Sequence, residues 1–260
     1  MENVIVTTGH AAAAGHIALA EQVARQLVCA YVPRMKLSLP ALRHQYGVQY
    51  VIVAAQGRLT LHTPEGELFF HPSMAHLRVK NLRLGMKDHL VEAMGLQAGM
   101  QVLDCTLGFG ADAIVASFAV GETGTVTGLE SSPLVAAVIG HGLGQVIAEN
   151  YPIQEAMRRI RVVAQDHLSY LRQQPDKSVD IVYFDPMFRH PLETSASMEP
   201  LRLVANHDRV STAAIAEARR VARCRVVLKE NSRSQEFSRL GFTRLAGGKY
   251  SHVRYGIMDL

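Results

Sequence analysis

The hydrophobic and polar positions change rhythm near residue 100. From Gln101 onward, short apolar runs alternate with longer segments of helical period. QVLDCT (101–106), GTVTGLE (124–130), IRVVAQ (160–165), DIVYFD (180–185) and RVVLKE (225–230) are rich in Val and Ile and mostly apolar on both faces. Such runs predict strands of a parallel sheet covered by helices on both sides. ADAIVASFAV, PLVAAVIGHGLGQVIAEN, HLSYLRQQ and STAAIAEARRVAR predict those helices, the last opening at an N-cap, Ser211. FTRLAG and HVRYGIM predict two closing strands. Before residue 100 the pattern is mixed. VIVTT predicts a strand, HIALAEQVARQLV a helix and SLPALRHQY a short helix. VQYVIVAAQGRLTLHTPEGELFFH reads as strands joined by glycine-containing turns, and KDHLVEAMGL as a helix closed by Gly95 or Gly99.

Size and composition narrow the class. At 260 residues, 48% hydrophobic and 19% charged, the chain suits one large domain, or one domain with a smaller attachment. No apolar run reaches the roughly 18 residues of a membrane span. The start, MENVIVTTGH, has neither a basic leader region nor a cleavage pattern, so export is not expected. Cys29, Cys105 and Cys224 are scattered and odd in number, which suits a reduced, cytoplasmic setting. The net charge of +4 permits a nucleic-acid partner without demanding one.

Ligands of an open, doubly wound sheet sit at the carboxyl ends of its strands, so candidate chemistry is sought there. The first tip continues as Asp104-Cys105-Thr106-Leu107-Gly108-Phe109-Gly110-Ala111-Asp112, a G-x-G-x-x-A loop ending at Ala113 that lets backbone approach a ligand. The second ends in Glu130, about 20 residues past the glycines, where an acid holds a ribose diol. The third ends in Gln165-Asp166-His167, where Asp166 accepts from an adenine amino group, caps the next helix, or does both. The fourth is VYFDPMFRHP. Pro186 cannot continue a central strand, so Asp185 stands at the rim. With no G-K-[ST], a triphosphate loop is not expected. A glycine loop with acids at successive tips suits a nucleoside, either that of NAD or that of S-adenosylmethionine.

LDCTLGFGADA, GLESSPLVAAVIGHGL, VYFDPMF and RVVLKE together resemble the successive motifs of class I S-adenosylmethionine (SAM)-dependent methyltransferases. More narrowly they resemble the J-type bacterial enzymes that methylate guanine N2 in small-subunit ribosomal RNA. The likeness runs from about residue 74 to the end. It implies an α/β, Rossmann-like sheet of seven strands with helices on both faces and the last strand antiparallel. Residues 1–73 are then a smaller N-terminal α+β extension, read as an RNA-selecting part, and 74–260 the methyltransferase domain. The resemblance also implies SAM contacts at Ala111, Asp112, Glu130, Ser131, Asp166, His167 and Asp185, beside Asp104, Gly108 and Gly110 of the loop. The chain departs from the family at Ala111, where a basic residue is usual. It departs again at Arg189-His190, in place of a proline, and at Glu230-Asn231, in place of a basic–proline pair.

The expected reaction follows from the fourth tip. A guanine amine is a poor nucleophile because its lone pair is delocalised. Asp185 and the carbonyls near Pro186 would accept its hydrogens, Phe188 would stack the base, and Met187 and Arg189 would touch the substrate. Arg78 and Lys80, with Arg83 and Lys87, form a basic stretch read as an RNA track. The partner expected is RNA, ribosomal RNA or the small ribosomal subunit. Twelve histidines form no H-E-x-x-H and no Cys–His pair of zinc spacing, so no metal is expected. Two other classes stay open: a nicotinamide oxidoreductase using the same glycine loop, and an RNA-binding module without turnover.

Overall fold

The computed structural model describes residues 3–145, 151–187, 204, 206, 208–248 and 251–260. The first sheet is built from β1 (Val4–Thr8), β2 (Ala30–Tyr31), β3 (Tyr50–Ala55), β4 (Arg58–Thr63) and β5 (Gly66–Phe69), in the order β2-β1-β3-β4-β5. β1 runs parallel to both β2 and β3, joined through α1 (Ala14–Leu27) and α2 (Leu39–Tyr46). β4 and β5 add antiparallel to this group. The extension thus carries crossover units of its own, a parallel element that its mixed sequence pattern did not announce.

After α3 (Ser73–Arg83) and α4 (His89–Met94) the chain enters the second sheet. Its strands are β6 (Gln101–Asp104), β7 (Thr125–Glu130), β8 (Ile160–Ala164), β9 (Val179–Phe184), β10 (Ala222–Asn231), β11 (Arg244–Ala246) and β12 (Val253–Asp259). Their order is β11-β12-β10-β9-β6-β7-β8, with β12 antiparallel to β10 and the other central pairs parallel. This is the expected seven-stranded Rossmann-like sheet. The helices between are α5 (Ala111–Val120), α6 (Pro133–Leu143), α7 (Tyr151–Arg158), α8 (His167–Gln173), α9 (Thr212–Val221) and α10 (Glu236–Arg239). The strands read as apolar on both faces because both are buried. Along β10, Val227 joins the core on the α5 side, and Val226 and Leu228 join the core on the α9 side.

The two sheets share one hydrophobic core, in which Val6 and Leu61 of the first pack with Val135 and Ile139 of α6. The close approach depends on Gly142, where a Cβ would fall 2.1 Å from Cβ of Phe70. Among the described residues no helix is long and apolar enough to cross a membrane.

Candidate functional site

The sheet reverses direction of travel between β6 and β9, and the tips of β6, β7 and β9 converge there. Asp104 ends β6 and is buried. Its Oδ1 accepts from the Thr106 amide at 3.0 Å and lies 3.4 Å from Thr106 Oγ1. Burial pushes its carboxyl up to about 8, against the pull of the Thr106 N–H. Thr106 also ties two tips together, since the Asp185 amide donates to its Oγ1 at 2.5 Å. Gly108 has φ +50° and Gly110, the N-cap of α5, φ +76°. Both lie in the left-handed region that favours glycine.

At the tip of β7, Glu130 accepts from the amide of Gly108 at 3.2 Å and from that of Ser132 at 2.8 Å, one on each oxygen. Burial raises its pKa, and these amides oppose the rise. At the tip of β8, Asp166 takes the capping role: its Oδ1 accepts from the Ser169 amide at 2.8 Å at the start of α8. Burial raises its pKa, but the Ser169 contacts outweigh this and hold it below the usual value. His167 packs edge-on to Phe184 with ring centroids 5.6 Å apart. Burial lowers its pKa, and Asp166 resists.

Between these tips lies a crevice of about 560 Å³. Of the expected residues, Gly108, Glu130, Ser131, His167 and Asp185 line it, with Pro186 and Met187 of the following turn. Six lining residues were not anticipated: Cys105, Thr106, Leu129, Asn206, Asp208 and Val210. Phe188 and Arg189 lie outside the described residues.

Asp112, expected against the cofactor, and Arg78, expected against RNA, meet each other in a half-buried ion network that ends on Asp185. Arg78 forks onto Asp88, the N-cap of α4, at 2.7 and 2.8 Å and reaches Asp112 Oδ1 with its third nitrogen. Asp112 Oδ2 accepts from Tyr183 Oη at 2.7 Å and from Lys229 Nζ at 2.9 Å. Lys229 Nζ also donates to Asp185 Oδ2 at 2.7 Å. Burial would raise the Asp112 pKa, but Lys229 and Arg78 outweigh it and hold the carboxyl well below the usual range. Burial is also the largest influence on Asp185, and Lys229 only partly offsets it, so this carboxyl is pushed up to about 6. Lys80, by contrast, is exposed.

Local signals for the network exist. Ala75, Val79 and Leu82 form the inner face of α3, and Arg78 sits on its border while Lys80 points away. Lys229 is a cation directly behind three apolar residues, Val226 to Leu228, in a strand read as buried on both faces, which demands an acidic partner. Asp112→Ala is expected to destabilise the fold by about 3 kcal/mol, the low end for a broken buried pair. The low end applies because Arg78 keeps Asp88 and Lys229 keeps Asp185. Urea unfolding measures it.

Comparison with known proteins places this geometry. A family model described as "Putative SAM-dependent methyltransferase" matches residues 37–249. The uncharacterized protein YpiP of Bacillus subtilis is 39% identical over 256 residues, 98% of this chain and 99% of its own. Ribosomal RNA small subunit methyltransferase J of Nitrosococcus oceani is 30% identical over 221 residues, covering 79% of this chain and 82% of that protein. The enzyme of that name from Laribacter hongkongensis is 34% identical over 151 residues, but only 52% of its length is matched. A solved SAM-dependent methyltransferase of Neisseria gonorrhoeae shares the fold, with TM-score 0.66 at 19% identity over 98% of this chain and 95% of its own.

The cofactor is therefore S-adenosylmethionine, which decides between the two nucleosides the glycine loop allowed. The residues present fit it. A Cβ on Gly108 would meet nothing nearer than the Thr106 carbonyl at 3.9 Å, so backbone there is bare toward the crevice, and the Glu130 carboxylate stands beside it. The chain belongs to the class I SAM-dependent methyltransferases and resembles, within them, ribosomal RNA small subunit methyltransferase J.

Proposed function

We propose that this protein methylates the exocyclic N2 amine of a guanine in small-subunit ribosomal RNA. The observation that carries the reading is Asp185: an ionisable carboxylate at the mouth of the cofactor crevice, on the tip of β9, followed at once by the Pro186-Met187 turn. Similarity to the ribosomal RNA small subunit methyltransferase J of Nitrosococcus oceani supports ribosomal RNA as substrate.

When bound, S-adenosylmethionine supplies a methyl carbon made electrophilic by the adjoining sulfonium. Glu130, Ser131 and His167 would hold its nucleoside. Asp185 Oδ2 is engaged by Lys229. Its other oxygen would accept an N–H of the amine, localise the lone pair and take the proton as the N–C bond forms and the methyl C–S bond breaks, its electron pair returning to sulfur to leave neutral S-adenosylhomocysteine. Phe188 would stack the base. Orientation of this kind supplies about 7–11 kcal/mol in favourable cases, against about 1–3 kcal/mol for stacking one base. Asp185 and its turn are therefore the larger contributors.

For the RNA track the candidates are now Lys80, Arg83 and Lys87, all exposed. Leu77, Leu84 and Met86 are exposed among them at 55%, 69% and 54%. Residues 1–73 would select the RNA, and subunit assembly would put the reaction in the cytoplasm. Replacing the three cations by alanine is expected to reduce the slope of log affinity against log salt by about 2–3, at roughly 0.7–0.9 per phosphate contact. An unchanged slope in a filter-binding titration counts against the track. The reading as a whole is tested by labelled methyl transfer to undermethylated ribosomal RNA, naked and in small subunits, followed by nucleoside analysis. N2-methylguanosine is the expected product, and a methyl group on any other atom overturns the assignment.

A further inference from the structure

The network that ends on Asp185 holds more charge than this reaction uses. Asp88, Asp112 and Asp185 meet Arg78 and Lys229 in one continuous series of contacts. Three carboxylates against two cations leave one net negative charge. Asp88 and Asp112 are 12% and 10% exposed, and both oxygens of each are already bonded. Asp185 is 27% exposed and gives only Oδ2 to the network. The uncompensated charge therefore lies at the end that opens on the crevice.

We propose that Lys229 is a positioning residue of the methyl transfer: it aims the Asp185 carboxylate at the incoming amine and keeps it ready to accept, while Asp112 fixes Lys229 in place. The inference rests on the reaction proposed above. Lys229 is not among the residues lining the crevice and acts only through Asp185. It rises from β10 on the same side as Val227, toward α5, so its ammonium comes up between Asp112 and Asp185. Asp112 is itself braced from three elements, by Arg78 of α3, Tyr183 of β9 and Lys229 of β10. One carboxylate is thus pinned while the other keeps a free oxygen.

The charged groups around Asp185 make Lys229 indispensable to this role. Asp112 on α5 and Glu230 on β10 both disfavour its ionisation, as burial does first of all, and Lys229 alone among its named neighbours favours it. Asp104 on β6 and Tyr183 on β9 titrate in its field. Arg78 and Tyr255 of β12 act on its partners Asp112 and Lys229. Burial disfavours charge on Lys229, but Asp185 and Asp112 outweigh it and hold the ammonium well above the usual lysine range. Without Lys229 the Asp185 carboxyl would hold its proton to higher pH, and while protonated it would have one acceptor fewer for the amine.

The test uses full-length protein labelled with γ-¹³C aspartate, the Asp185 resonance being assigned by its loss in Asp185→Asn. Lys229→Met and Lys229→Gln are expected to move the Asp185 titration upward by about one unit or more, a unit being tenfold in the ionisation equilibrium. Lys229→Arg, which keeps the charge, is expected to restore most of it. In single-turnover assays the acid limb of the rate profile should move by the same amount, with the rate at pH 5 down about tenfold and the rate at pH 7 down about twofold for a move of one unit. Binding of S-adenosylmethionine by calorimetry should stay near wild type. Lys229→Gln keeps a hydrogen-bond donor, so it is the variant to use should the methionine variant not fold. An Asp185 titration unmoved in both neutral variants overturns the proposal. The carboxylate titration needs no RNA, so a wild-type enzyme that fails to methylate ribosomal RNA counts against the assigned substrate and leaves this result to stand or fall separately.

Discussion

Asp185→Asn is expected to lower methyl transfer by about 100- to 10,000-fold, the range for loss of a positioned proton acceptor. The wild-type rate should rise with pH through about 6, where Asp185 loses its proton, and this limb should vanish in the variant. Stability is expected to move the other way. A carboxyl whose pKa is raised on folding favours the native state at low pH, and that contribution is lost as pH rises through the folded value. For Asp185 the window runs from the ordinary carboxylate range to about 6. The neutral asparagine never incurs the loss, and Lys229 keeps Asp112 as partner. At pH 8 the variant should therefore melt at or above the wild-type temperature. Single-turnover assays at several pH values, with melting curves at pH 5 and pH 8, read both halves. Near-normal turnover would remove Asp185 from the chemistry. A lost rate accompanied by a lower melting point at pH 8 would assign it to the fold instead.

What the sequence disclosed divides along a physical line. The strands of the second sheet were legible because burial on both faces leaves short Val- and Ile-rich runs, and their tips carried the acids that now line the crevice. Glu130 and Asp185 were found this way. Single residues of the network carried local signals, but their pairing was not legible, because its contacts join residues far apart in sequence. Arg78 meets Asp112 across 34 residues, and Lys229 meets Asp185 across 44. No local period records that pairing, so Arg78 and Lys80 looked alike although one is tied to two carboxylates and the other is exposed. Boundaries failed for a related reason. The helix read as running to Arg223 ends at Val221, because Ala222 already pairs with Val179 of β9. The apolar segment from Pro133 leaves α6 at Leu143, and Gly144 caps it. The parallel pairing of β1 with β2 was hidden because β2 is only two residues long.

Glu130→Ala is the corresponding prediction for the cofactor side. Its carboxylate is held in one plane by two backbone amides, Gly108 on one oxygen and Ser132 on the other. The residue lines the crevice, with Ser131 beside it. A ribose offers two adjacent hydroxyls to such a carboxylate. Hydrogen bonds to a charged acceptor contribute about 1.5–3 kcal/mol each, so losing two costs about 3–6 kcal/mol, roughly 100- to 10,000-fold in Kd. The loss should be equal for S-adenosylmethionine and S-adenosylhomocysteine, because both carry the ribose and only one carries the sulfonium. That equality separates a diol contact from attraction of the carboxylate for positive sulfur, which would weaken the charged ligand alone. Alanine also removes the acceptor of the Gly108 and Ser132 amides, so the ligand-free variant should melt lower than wild type. Calorimetric titration with both ligands decides the matter: unchanged affinity, or a loss confined to one of them, would take Glu130 out of the ribose site.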